Sequence, residues 1–146
     1  MLTVIVETAD AGERLPALLA ALTSAAVEGL VREVLISGGG PPTLLAALRE
    51  ETGAELAPDL AAALQAARSD RLLVLPATIR LKPGWLEALA RHLRGGGGDG
   101  LVVGDGGIFG DKPVGLLIGR APATAMAHPD LKRLRRLLAR GAARLN

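Results

Sequence analysis

The sequence predicts an α/β fold built on a mostly parallel β-sheet. Short apolar segments that suit buried strands alternate along the chain with segments whose leucines recur at helical spacing. The turns between these segments are short, which is typical of strand–helix–strand units and of a parallel sheet. With 146 residues the chain is long enough to build one core. We therefore expect a single domain that spans residues 1–146.

The composition excludes several classes of function. Aromatic residues make up only 1% of the chain, so it lacks the stacking platforms on which single-stranded nucleic-acid binding depends, and we expect no nucleic-acid partner. There is no cysteine, which excludes disulfides, thiolate metal sites and cysteine nucleophiles. The first residues contain no basic region and no cleavage site, and no apolar run reaches the ~20 residues that a transmembrane helix needs. We expect a cytoplasmic protein with no transmembrane segment.

Four strands are predicted in the first part of the chain. The segments are short and largely apolar, as central strands of a parallel sheet are. They cover residues 2–7, 33–37, 54–56 and 71–75. We expect 2–6, 33–36 and 72–75 to be adjacent strands of one sheet and to run mainly parallel.

Each of these strands is followed by a predicted helix. Asp10 opens a D-x-x-E capping pattern before the first helix. Asp59 is a natural N-cap for a helix over 60–69, and Pro83 suits the first turn of a helix over 84–93. The two earlier helices are defined by leucines at helical spacing. These are Leu15, Leu18, Leu19 and Leu22 in the first helix and Leu44, Leu45 and Leu48 in the second.

The remaining part of the chain has a different character. Nine of the sixteen residues in 95–110 are glycine, which indicates loops around a short strand at 101–103. A further strand is predicted over 114–118 and a final helix over 129–140.

The final residues are basic. Residues 131–146 contain six basic residues and no acidic one, whereas the rest of the chain carries 11 basic and 15 acidic residues. Leucines at 131, 134, 138 and 145 nearly keep helical spacing and are expected to form one apolar stripe. Two interpretations stay open. The stripe packs on the chain's own sheet, or the helix binds an anionic partner such as a membrane surface, an acidic protein or a second copy of the chain.

Three segments resemble family 2 glycosyltransferases of the GT-A fold. Residues 4–10, V-I-V-E-T-A-D, stand in the place of that family's opening V-I-I-P-T-x-N. Residues 33–40, E-V-L-I-S-G-G-G, stand where the family has E-V-I-V-V-D-G-G. Residues 72–85 parallel the family's L-L-F-L-x-A-D-T-x-L-x-P-G-W, with the closing P-G-W in register.

The resemblance implies a GT-A-like, Rossmann-like αβα sandwich with a mostly parallel central sheet. Residues 1–93 would be its nucleotide-binding half, and residues 94–146 a shortened acceptor-side half that ends in the basic helix. The resemblance also implies which residues contact a nucleotide-sugar. These are Thr8, Asp10, Gly38 and Gly39.

The sequence differs from the family at three positions that the family uses for sugar transfer. The nucleotide-contacting aspartate of D-G-G is replaced by Gly38, and the metal-ligand aspartate by Thr78. The family's catalytic acid has only a weak counterpart in Asp130. Transfer from a nucleotide-diphosphate sugar needs a cation on the leaving diphosphate and a carboxylate base, and a threonine hydroxyl is a poor Mg²⁺ ligand. We expect no metal site and no cofactor.

Three hypotheses for the function remain. The chain is a degenerate family member, a pseudoenzyme that acts as a binding or partner-regulating domain. Alternatively, it is an active, metal-independent glycosyltransferase that uses a nucleotide-diphosphate sugar, with basic residues stabilising the diphosphate. The third hypothesis is an interaction module that docks through its Leu/Arg-rich C-terminal helix, either on another protein or in a homo-oligomer. Gly38-Gly39-Gly40 is accordingly either a structural turn or a set of backbone donors for the ligand.

Overall fold

The structure is a computed structural model, and it describes residues 2–8, 15–38, 46–47, 49–50, 53–104, 114–138 and 143–145. In these ranges a sheet of six strands is extended at one edge by a two-residue strand. The strands are β1 (Leu2–Glu7), β2 (Val31–Ser37), β3 (Glu55–Ala57), β4 (Arg71–Pro76), β5 (Gly100–Val103), β6 (Val114–Gly119) and β7 (Ala143–Arg144). The helices with defined bounds are α1 (Leu15–Val27), α2 (Leu60–Ala66), α3 (Trp85–Arg94), α4 (Arg120–Thr124) and α5 (Leu131–Leu137).

The strands lie in the order β3-β2-β1-β4-β6-β5-β7. β1 pairs in parallel with both β2 and β4, so that Val4 is in register with Val34 on one side and Leu73 on the other. β2 and β3, and β5 and β7, also pair in parallel, whereas β6 runs antiparallel to β4 and β5. The predicted α/β class, the mostly parallel sheet and the adjacency of the three strands are confirmed.

The sheet is covered by helices on both faces. Successive side chains of a strand point to opposite faces, and β1 shows this directly. Val4 lies in one apolar cluster with Leu22 of α1 and Leu89 of α3, while Ile5 lies in a second cluster with Leu64 of α2. Full burial of a large aliphatic side chain stabilises a fold by about 1.5–3 kcal/mol. The central strand therefore stabilises both layers.

The third predicted helix ends earlier than expected. It was expected over 60–69, but α2 ends at Ala66. Asp59 caps its start as predicted, accepting a hydrogen bond from the backbone N–H of Ala62 at 2.8 Å. Beyond its end, the backbone N–H groups of residues 68 and 69 donate to side chains of the neighbouring strands instead of continuing the helix. Tertiary contacts therefore decide where α2 ends.

The last part of the chain departs further from the prediction. α4 and β7 were not predicted, because five-residue and two-residue elements are too short to show a periodic pattern. The final helix, expected over 129–140, covers only Leu131–Leu137. Asp130 fixes its start by accepting from the backbone N–H of Arg133 at 2.7 Å, and the backbone turns extended at Leu138.

The predicted apolar stripe of the tail is partly wrong. Leu131, Leu134 and Leu138 lie together in the apolar cluster on the α2 face of the sheet. Leu145 does not belong to this stripe, because it lies beyond β7 and packs on the opposite face. The backbone N–H of Leu145 donates to the carbonyl of Leu101 at 2.9 Å, which places it at the sheet edge. The helix thus packs Leu131 and Leu134 on the chain's own core, while Leu137 is exposed.

Some predictions fall outside the described residues. They include the capping pattern that begins at Asp10, residues 39 and 40 of the glycine turn, and the leucines of the helix after β2. Residues 46, 47, 49 and 50 of that predicted helix are helical. None of the helices in the described part of the chain is long and apolar enough to cross a membrane.

Replacing Leu134 with alanine should destabilise the protein, because Leu134 is 0% exposed between α5 and the sheet. We expect the free energy of unfolding in urea to fall by about 2–5 kcal/mol, the usual cost of such a cavity. Leu137→Ala is the matched control on the same helix, since Leu137 is 41% exposed, and it should change stability by less than about 0.5 kcal/mol. Equal stability of the two variants would show that α5 does not pack on the sheet.

Candidate functional site

The strand order creates a crevice at the carboxyl end of β1. From β1 the chain passes through α1 to β2 and on to β3, moving away along one side of the sheet. β4 then lies on the other side of β1. Connections that leave two adjacent parallel strands in opposite directions leave a gap between them, and ligands of open α/β sheets bind in such gaps. The candidate site is therefore the carboxyl edge between β1 and β4.

Backbone hydrogen bonds hold the loops that leave this edge. The N–H of Thr8 donates to the carbonyl of Ser37 at 2.9 Å, and the Thr8 hydroxyl donates to the same oxygen at 2.9 Å. On the other side of β1, the N–H of Ala77 donates to the carbonyl of Glu7 at 2.8 Å. The three parallel strands thus end level with one another, and the residues that follow them are fixed by the sheet.

The structure brings together two of the predicted nucleotide contacts. Thr8 is buried and bonds to Ser37, the residue directly before Gly38. Gly38 has a φ of 97°, in the left-handed region that favours glycine, so here the backbone requires glycine for the turn itself. Its N–H donates to the carbonyl of Ala57 at 3.2 Å. Asp10 and Gly39, the other two predicted contacts, lie outside the described residues.

Asp130, the weak candidate for a catalytic acid, has a structural role. Its carboxylate caps α5 through the backbone N–H of Arg133, and its second oxygen lies 3.6 Å from the Nε of the same arginine. α5 packs on the face of the sheet that carries α2 and α4. These contacts account for an aspartate at this position without a catalytic role, and its catalytic assignment stays a prediction.

The segment after β4 occupies the position of the metal ligand in the resembled family. Ala77 is buried, Thr78 is exposed, and Ile79 is buried with its N–H donating to the carbonyl of Pro76 at 3.0 Å. In the part of the chain that the structure describes, no three His, Asp or Glu side chains lie close enough together to hold a metal ion. The side chain that reaches solvent at this turn is therefore a hydroxyl rather than a carboxylate.

A cavity of about 410 Å³ adjoins this segment. It lies between the first turns of α1 and the chain from Ile79 to Trp85. Its walls are mostly apolar, and of the described residues that line it only Arg80 is charged. Because Trp85 is the single tryptophan of the chain, tryptophan fluorescence reports on the surroundings of this one wall residue. Ligand cavities commonly combine apolar walls with a few polar groups in this way.

Gly104 lies in close contact with two of the residues that line this cavity. A Cβ at Gly104 would lie 2.6 Å from Cγ1 of Ile79 and 3.0 Å from the backbone oxygen of Arg80. Both distances are shorter than normal van der Waals contacts. The carboxyl end of β5 is therefore packed directly against the segment that carries Arg80.

The sequence alone did not single out Ser37, Arg80 or Trp85 as site residues. Ser37 is 0% exposed, and its hydroxyl has no hydrogen-bond partner among the described residues. The available signal was a serine at the carboxyl end of a strand, directly after the apolar residues 34–36. For Arg80 and Trp85, the signal was their position directly after β4, where the strand order places the crevice.

No protein-family model matches this sequence, and no curated protein matches it significantly. The assignment of the site consequently depends on the strand order and on the residues described above.

Gly104→Ala should disturb the cavity, because the added methyl group has to displace Ile79 or the backbone of Arg80. Overpacking of this kind typically costs about 1–3 kcal/mol. We expect a lower free energy of unfolding in urea and a shifted emission maximum of Trp85. Gly98→Ala is the matched control: a Cβ there meets nothing within 4 Å, so both measurements should stay at their original values. An unchanged Gly104→Ala variant would refute the close packing of β5 on this segment.

Proposed function

We propose that the chain is a glycosyltransferase family 2-like domain of GT-A type that binds a nucleotide-diphosphate sugar without a metal ion. It acts as a binding or partner-regulating domain rather than through metal-dependent sugar transfer. The observation that carries the proposal is the crevice between β1 and β4, at which Thr8, Gly38 and Thr78 follow three adjacent parallel strands. This is the place at which such sheets bind nucleotides.

Thr78 stands where the resembled family has its metal-ligand aspartate, and this replacement is the reason for proposing binding without a metal. In metal-dependent transfer, a divalent cation neutralises the charge that develops on the departing diphosphate. Hard cations of this type prefer several carboxylate or carbonyl oxygens. Thr78 offers one neutral hydroxyl at this position, so the residues there suit contact with a ligand hydroxyl better than coordination of a cation. That this position binds no divalent cation stays a prediction.

Arg80 supports binding without a metal. It lines the cavity beside the crevice and has no ion-pair partner among the described residues. A guanidinium remains charged at neutral pH and can donate two parallel hydrogen bonds to a phosphate. One arginine placed here provides part of the charge compensation that a cation would otherwise supply.

A metal-independent transferase is the second candidate, and Arg80 is the observation that favours it. This hypothesis also has the basic tail stabilise the diphosphate, and that role has less support. The described polar contacts of Arg133 are made with His128 and Asp130, on the α5 side of the sheet. Release of free nucleotide diphosphate from a bound donor in the absence of metal would favour this candidate over a binding domain.

A partner that binds through α5 would have to use the basic side of the helix. Leu131 and Leu134 pack on the chain's own core, whereas Lys132, Arg133, Arg135, Arg136 and Leu137 are exposed. A homo-oligomer or an acidic protein partner through this side of the helix stays a prediction.

Titration with uridine, guanosine and thymidine diphosphate sugars tests the proposal, with Trp85 fluorescence and calorimetry as readouts. At least one donor should bind saturably, and its Kd should be the same with Mn²⁺ as without. Arg80→Gln should weaken that binding about tenfold, the usual effect of losing one hydrogen bond to a charged group.

Arg91→Gln is the control, because Arg91 is an exposed arginine on the neighbouring helix α3 and does not line the cavity. It should bind the donor as the original chain does. Binding that requires Mn²⁺ would contradict the metal-free site and indicate an enzyme. If none of the donors binds, this would contradict nucleotide-sugar binding altogether and favour an interaction module.

A further inference from the structure

A second cavity opens at the opposite, amino edge of the sheet. Its volume is about 480 Å³, within the range of about 300–1,000 Å³ found for small-molecule sites. Three arginines line it, Arg32 near the start of β2 and Arg68 and Arg71 around the start of β4, together with Ser69 and Asp70. We propose that this cavity is an anion site that binds the phosphoryl group of a soluble small molecule.

The loop formed by residues 68–70, which carries Arg68, is held by hydrogen bonds to its neighbours. The backbone N–H of Arg68 donates to Oε1 of Glu33 at 2.7 Å, and that of Ser69 donates to Oγ1 of Thr3 at 3.3 Å. The Thr3 hydroxyl in turn donates to Glu33 at 2.8 Å. The carbonyl of the next residue accepts from the N–H that opens α4 at 2.8 Å. Three consecutive residues are thus fixed by β1, β2 and α4, and a preorganised loop loses little entropy when a ligand binds.

The charges of the cavity are not balanced within the described chain. Arg32 has no ion-pair partner among these residues, and Arg71 donates through one guanidinium nitrogen to the carbonyl of Gly97. Nε of Arg68 lies 3.8 Å from Oε2 of Glu33, but Oε1 of that carboxylate already accepts two hydrogen bonds. Asp70 is the one acidic side chain among the described residues that line the cavity. Positive charge therefore exceeds negative charge on its walls.

Two buried polar atoms in this region have no hydrogen-bond partner among the residues that the structure describes. The hydroxyl of Ser69, a residue 6% exposed, has no hydrogen-bond partner in the described chain, and neither does Nε of Arg120. Arg120 lies beside the cavity, because its N–H bonds to the carbonyl of Asp70. Unsatisfied buried groups are rare and call for an explanation, and a site that takes up an anion is one of the situations in which they occur. Arg120 adds to the positive charge of this edge, and the Ser69 hydroxyl is available to donate a hydrogen bond.

The chemistry of the walls selects a phosphoryl group. The cationic side chains that line the cavity are, among the described residues, all arginines, whose planar fork matches phosphate oxygens in pairs. They converge on one concavity, which suits a compact anion, whereas an extended polyanion or a membrane surface would require a broad basic face. Asp70 moderates the affinity by repelling the same ligand.

The test is an amide NMR titration of the full chain with inorganic phosphate and with pyrophosphate at constant ionic strength. We expect saturable shifts at residues 32 and 68–71. Arg32→Gln should weaken the binding about tenfold, in line with the loss of a hydrogen bond between charged groups. Asp70→Asn should tighten it, an effect that a damaged fold cannot produce. Arg91→Gln, an exposed arginine on α3, is the control and should leave the affinity unchanged.

Three results would overturn the proposal. The first is the absence of saturable binding of either anion. The second is shifts spread equally over the arginines of α5, which would indicate unspecific attraction to basic residues. The third is binding only to vesicles that contain phosphatidic acid and not to soluble pyrophosphate, which would indicate a membrane surface instead of a small-molecule site.

Discussion

The parallel pairing of β1 with both β2 and β4 is the constraint on which the other features depend. β1 is buried on both faces, so its side chains must be covered by helices on each side, and the connections of a parallel sheet supply those helices. Because its two neighbours receive connections that run in opposite directions, a crevice opens at its carboxyl end. The packing that stabilises the domain and the gap that forms its candidate site therefore have the same origin.

The same strand also organises the amino edge. Thr3, on β1, is buried and links Glu33 on β2 to the loop before β4 through its hydroxyl. Since a buried polar group must be paired to avoid a large desolvation cost, this link restricts the loop to one conformation. The carboxyl end of β1 thus holds the segment that follows β4, and the amino end of β1 holds the loop that precedes β4. Each of these segments borders a cavity that has arginine in its walls.

The sequence predicted the parallel half of the fold because strong local patterns defined it. The apolar segments at β1, β2 and β4 and the cap at Asp59 all appear where they were expected. The sequence could not predict contacts between distant segments. It did not show that side chains of β1 and β2 end α2, or that Gly104 packs against Ile79. Thr8 and Gly38 lie at one edge of the sheet, and their contact with a ligand stays a prediction, whereas Arg80 became a candidate only once the strand order was known.

Amide hydrogen exchange, measured with and without a nucleotide-diphosphate sugar in metal-free buffer, tests the central claim that the crevice beside β1 is the ligand site. The backbone N–H groups of Thr8, Gly38 and Ala77 already bond across this edge, so a ligand seated on it should slow their exchange further. The account predicts added protection at these three residues, whether or not the loop around Ser69 also binds the phosphates of the ligand. Protection confined to residues 68–71, or protection at Thr8 and Ala77 that appears only with Mn²⁺, would contradict it.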